Sequence, residues 1–138
     1  MVGRRRRPSA TSSQPRLRVE PFQAEGTSSP WAVRWRVVNE DREPIELLTA
    51  VQPHAQFRAP ETPLRRTLEP GSWTDVALSA HFAEPPGARV ENPFLILRVR
   101  ERGAEWRVLA RVSATAGPGG RPVAGDAVTT TVDPIGAT

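Results

Sequence analysis

The chain has 138 residues and a net charge of +4, and it contains neither cysteine nor tyrosine. The absence of cysteine excludes thiol nucleophiles, thiolate metal sites and disulfides, and because all 19 basic residues are arginine, a Schiff-base lysine is excluded as well. Fifteen prolines and ten glycines disfavour long helices, because proline breaks the helical hydrogen-bond ladder and glycine weakens it. The length suits one domain, and the composition predicts an all-β fold.

Residues 1–16 form a basic arm with five arginines and no acid, whereas the remaining residues carry 14 arginines against 15 acids. The composition of the arm cannot bury enough apolar surface to offset its ordering entropy, so we expect it to be disordered. The run Arg4, Arg5, Arg6 and Arg7 is suited to binding anions, including nucleic acid. The alternatives are a plain solubilising tail and an artefact of the chosen start codon.

No apolar stretch follows the arginine run, so neither a signal peptide nor a membrane span is expected. The absence of cysteine favours a reducing compartment, and we expect the protein in the cytoplasm.

From Leu17 onwards, short segments of alternating apolar and polar residues are separated by turn residues. The clearest predicted strand covers residues 31–38, and residues 45–52 and 74–82 predict two more. A type II turn at residues 69–72 precedes the last of these, because Pro-Gly occupies its two central positions. The pattern predicts an immunoglobulin-like, two-sheet antiparallel β-sandwich over residues 17–114.

The most specific prediction is a hairpin within residues 94–112, in which Arg102 and Gly103 form a two-residue turn. Glu101 then lies opposite Ala104, and the preceding inward pairs are all apolar. The sequence after the hairpin, residues 115–138, predicts a Gly/Pro linker and a C-terminal edge strand near residues 127–132.

The outer face of this hairpin is a candidate surface for binding a protein, because it combines apolar side chains with arginines. Arg98 lies opposite Arg107, and this like-charge pair disfavours the hairpin unless a carboxylate lies nearby. Alternatively, the C-terminal segment or a loop covers the face, and Glu46 or Glu91 supplies the missing charge. The candidate partner-binding residues are Phe94, Ile96, Arg98, Arg107, Leu109 and Arg111.

The order of turns and strands resembles that of bacterial immunoglobulin-like accessory domains. The residues that carry the resemblance are Val37-Val38-Asn39, Pro44-Ile45-Glu46-Leu47 and Leu68-Glu69-Pro70-Gly71-Ser72. Modules related to intracellular proteinase inhibitors and cell-adhesion-type modules are the most similar groups. The resemblance implies a sandwich fold and a non-catalytic role, and it assigns no binding residue.

No catalytic residue, metal site, cofactor or small-molecule substrate is expected, and we predict that the protein is not an enzyme. His54 and His81 have no second ligand at the spacing of a metal motif. Asp75, Ser79 and His81 share one strand face, but Asp75 lies roughly 20 Å from His81 along an extended strand. That separation is too large for a catalytic relay.

The leading hypothesis is a non-enzymatic protein-binding or assembly module, acting on a protein partner or by self-association. One alternative is a nucleic-acid-associated protein that uses the basic arm. Another is a hydrolase inhibitor that acts through a projecting loop at residues 53–63, which prolines would stiffen.

Overall fold

The computed structural model describes residues 14–136, and the arginine run Arg4–Arg7 lies outside these residues. The described part of the chain is built from antiparallel strands and one 3-10 turn at Pro118–Gly120. None of its residues form a helix long and apolar enough to cross a membrane. The strands are β1 (Leu17–Val19), β2 (Gln23–Glu25), β3 (Trp31–Asn39), β4 (Ile45–Gln52), β5 (Ala59–Leu68), β6 (Trp73–Ala80), β7 (Arg89–Val90), β8 (Phe94–Glu101), β9 (Ala104–Arg111), β10 (Ala114–Ala116), β11 (Pro122–Ala124) and β12 (Thr129–Pro134).

The first sheet is centred on β3, the predicted strand with the clearest alternation. β6 pairs along one side of β3, while β1 and β2 pair with successive parts of its other side. The inward residues Trp31, Val33, Trp35 and Val37 are buried, as the period of two requires. The turn before β6 is also confirmed, because Gly71 has a φ of 82° and Ser72 N–H donates to Glu69 C=O.

The second sheet contains five strands in the order β12-β9-β8-β4-β5. Its inward side chains and those of the first sheet form one buried hydrophobic core, and Trp35, Phe57 and Leu97 are among the fully buried members. A third, small sheet has the order β11-β10-β7, and its edge strand β11 lies beside β2. The all-β prediction is therefore confirmed.

The C-terminal segment differs from the sequence-based prediction. Residues 115–125 are not a linker, because β10 and β11 pair with each other within this segment. The predicted edge strand does form as β12, which pairs with β9 over its whole length. The fold thus continues well beyond residue 114.

Two further boundaries were wrong. The proposed loop at residues 53–63 is interrupted, because β5 begins at Ala59 and the side chain of Phe57 is fully buried. β5 carries two prolines and lies at the edge of its sheet, where a missing N–H is tolerated. At the other end, Pro15 is buried and Arg16 C=O accepts a hydrogen bond from Glu40 N–H, so these two residues of the predicted arm are part of the fold.

Candidate functional site

The hairpin has the predicted register and therefore places all six predicted partner-binding residues on the outer face of the five-stranded sheet. Glu101 pairs with Ala104, and Ile96 pairs with Leu109. The two turn residues between the strands, Arg102 and Gly103, have φ values of 54° and 78°. These positive angles at both central positions match the type I′ turn, whose twist suits a two-residue hairpin.

The outer face is organised in rows that run across the strands. Val51 of β4, Ile96 of β8 and Leu109 of β9 lie directly opposite one another, which gives an apolar stripe three strands wide. All three side chains remain partly exposed. Beside them, Phe94 contacts the ring of His54 edge-on at a centroid distance of 6.4 Å. We call the group of Val51, Phe94, Ile96 and Leu109 the apolar row.

Arginines flank the apolar row, and their charges are only partly balanced. Arg98 binds Glu105 at 2.8 Å, and the other oxygen of Glu105 binds Arg100 at 3.0 Å. These two hydrogen bonds lower the pKa of Glu105. Arg100 also binds Glu46 at 3.0 Å. For Arg107, no carboxylate lies within ion-pair distance among the residues that the structure describes.

The negative charge beside the Arg98–Arg107 pair therefore comes chiefly from Glu105, which the sequence pairs with Arg100 and which also binds Arg98. Glu105 lies diagonally across from Arg98, two positions from its direct partner, and long side chains reach that far. Of the two expected carboxylates, Glu46 neutralises Arg100 instead, and Glu91 binds Arg89.

The C-terminal segment does not cover the outer face in the way that the sequence analysis allowed. Instead, β12 lies at the edge of the sheet and extends it, so that Thr131 continues the row of Leu109 and Asp133 lies opposite Arg107. The six predicted partner-binding residues consequently lie together on the outer side of the sheet. The apolar row is partly exposed there, and Arg107 is exposed.

A second cluster, at the end of β8, escaped the sequence analysis. The side chain of Glu101 is 2% exposed, and neither of its carboxyl oxygens accepts a hydrogen bond from an N–H or O–H donor among the described residues. The pKa of Glu101 is raised to about 8, chiefly by burial. A hydrogen bond to Asp41 and the negative charge of Asp41 raise it further. The alternation along β8 could have revealed this burial, because every second residue of the strand points inward and Glu101 is the last of them.

Asp41 holds the β3–β4 loop against the start of β1. Its Oδ2 accepts a hydrogen bond from the N–H of Arg16 at 3.3 Å, and its Oδ1 accepts one from the N–H of Arg42 at 2.7 Å. Burial acts to raise the pKa of Asp41, but hydrogen bonds from Glu101, Arg42 and Arg16 outweigh it and lower that pKa. In this pair, Asp41 therefore carries the charge and Glu101 carries the proton.

A cavity of about 600 Å³ opens between β2 and β11. Its charged lining residues are Glu20, Glu25, Arg121 and Asp126, and no histidine or hydroxyl group lines it. Asp75, from the strand with Ser79 and His81, is bound instead by Arg36 at 3.1 Å.

Within the described residues, no group of three or more histidine or acidic side chains is arranged to hold a metal ion. Comparison of the chain with protein-family models, with curated proteins and with solved structures gave no match. A function must therefore follow from the chemistry of the molecule's own surfaces.

Proposed function

We propose that the protein is a non-enzymatic protein-binding or assembly module, and that it binds its partner through the outer face of the five-stranded sheet. The observation that carries the proposal is the apolar row, which crosses three strands and stays accessible on a rigid sheet. Partly exposed apolar side chains that are contiguous and surrounded by arginines have the composition of a protein interface.

The charges on this face favour a partner with an apolar centre and an acidic rim. Arg98 and Arg100 share Glu105, whereas Arg107 has no carboxylate at ion-pair distance in the described part of the chain. Two copies of this chain docked face to face would bring their unbalanced arginines together, and such like-charge contacts oppose association. We therefore place a different, acidic protein before self-association.

The resemblance to bacterial immunoglobulin-like accessory domains agrees with a binding role. The lack of cysteine agrees with a cytoplasmic location. The resemblance and the location are parts of this proposal. The alternative of nucleic-acid binding depends on Arg4–Arg7, which lie outside the described residues.

The proposal can be tested by comparing proteins that co-purify with the tagged full-length chain from its native cells. Ile96→Thr removes apolar surface from the centre of the face, and Arg107→Glu reverses the charge beside it. Arg121→Glu is the matched control, because Arg121 is also exposed but lines the cavity between β2 and β11. Each binding partner is then purified, and its affinity for the four chains is measured directly.

We expect a partner that binds the wild type and the Arg121→Glu chain equally and binds both face variants about tenfold more weakly. Equal affinity for all four chains would remove the outer face as the binding surface. Sedimentation of the isolated wild type should show a monomer, and a dimer sensitive to Ile96→Thr would identify a second copy as the partner instead.

A further inference from the structure

The carboxyl group of Glu101 is buried, and it has no hydrogen-bond donor among the described residues. An ionised carboxylate at this site would be buried, would lack a donor within the described residues, and would lie against the carboxylate of Asp41. Burying an uncompensated charge beside a like charge is strongly unfavourable. With a proton on Glu101, the same contact becomes an O–H donor facing a carboxylate acceptor, which is a strong hydrogen bond.

The other charged groups around Glu101 do not replace that proton. Arg102, in the hairpin turn, acts to favour the ionised form, but its guanidinium lies 3.6 Å from the carboxylate of Glu43. Glu43, in the β3–β4 loop, acts in the opposite direction. Among the described residues, the charged groups that act on the ionisation of Glu101 are therefore Asp41, Arg102 and Glu43.

We propose that Glu101 and Asp41 form a proton-binding clasp that fastens the start of β1 and the β3–β4 loop to the β8–β9 turn, and that loss of the proton loosens this attachment. Asp41 is the joining residue, because it accepts hydrogen bonds from Arg16 N–H before β1 and Arg42 N–H within its own loop. When Glu101 ionises, repulsion between the two carboxylates acts on the loop that carries these bonds.

The direction of the pH effect follows from the raised pKa of Glu101. Folding binds a proton at pH values above the ordinary pKa of 4.5 and below about 8, because the unfolded chain has released it while the folded chain retains it. Stability from this group is complete below pH 4.5, and it is lost as the pH rises towards 8. In that interval the unfolding equilibrium constant contributed by Glu101 should rise about tenfold per pH unit.

The first test is a titration of the full-length chain by carboxyl ¹³C NMR. We expect the Glu101 resonance to titrate near pH 8 and to move at least about one pH unit lower in Asp41→Asn, which removes the neighbouring charge. Glu105→Gln, on the outer face of the same hairpin, is the control and should leave the Glu101 midpoint unchanged. Titration of wild-type Glu101 near 4.5 would overturn the proposal.

The second test measures whether the proton controls the attachment. Amide hydrogen exchange, expressed as protection factors, should show Arg16 and Arg42 losing about tenfold or more protection between pH 6 and 9. In Glu101→Gln, an amide donor keeps the hydrogen bond to Asp41 at both pH values, so protection should stay constant. If both chains behave alike, Glu101 is a buried acid without a clasp function, and the proposal fails.

Discussion

The indole N–H of Trp35 donates a buried hydrogen bond of 2.9 Å to the side-chain carbonyl of Gln52, which joins the first sheet to the second. The amide group of Gln52 in turn donates to the backbone C=O of Phe57 at 3.3 Å. The side chain of Gln52 thus provides a hydrogen-bond partner for the buried indole N–H of Trp35 and for the backbone C=O of Phe57 in the loop before β5.

We expect Gln52→Met to destabilise the fold by about 2–4 kcal/mol. Methionine preserves most of the volume, but it leaves the Trp35 N–H and the Phe57 C=O buried without partners, and each such group costs about 1–3 kcal/mol. The measurement is the midpoint of urea unfolding. Gln56→Met is the control, because that side chain is exposed and should shift the midpoint little. Equal shifts in the two variants would contradict the importance of the Trp35 bond.

Arg98 and Arg107 lie directly opposite each other, yet we expect their charge reversals to differ in effect. Arg98→Glu also relieves the repulsion from Arg107, but it removes the partner of Glu105 and brings a second carboxylate to it, and we expect this loss to outweigh the gain and to lower the melting temperature by about 2–4 °C. Arg107→Glu relieves the repulsion from Arg98 but brings a carboxylate opposite Asp133, so the two effects offset and the melting temperature should stay constant. Thermal melts followed by circular dichroism distinguish the outcomes. Identical melting temperatures for the two variants would show that the Glu105 pair does not stabilise the hairpin.

The hairpin turn provides a test of backbone conformation without interference from packing. A Cβ atom at Gly103 would meet no heavy atom within 4 Å, but the φ of 78° is one that side chains with a branched Cβ disfavour. Gly103→Val should therefore lower the free energy of unfolding by about 1–2 kcal/mol. Gly103→Asn should cost much less, because asparagine tolerates left-handed conformations. If Gly103→Asn lowers the free energy of unfolding as much as Gly103→Val does, the positive φ of the type I′ turn is not the reason that glycine is favoured at this position.

Local patterns in the sequence were enough to predict β3, β4 and the hairpin with its register. In each case, alternation of apolar and polar residues or the chemistry of a short turn decides which face a side chain occupies. The residues of the candidate face could therefore be named before the structure was known. The same local patterns failed for β5, where two prolines conceal a strand that is stabilised at a sheet edge.

The tertiary structure alone decided which distant groups meet. It placed Val51 of β4 beside the hairpin to complete the apolar row, and it extended the sheet with β12. It also buried Glu101 and brought it to Asp41 of the β3–β4 loop, 60 positions earlier in the chain, and burial is the main cause that raises the pKa of this carboxyl group. Alternation along a strand specifies the inward direction of a side chain, but its partner and its pKa depend on long-range packing, which no local period encodes.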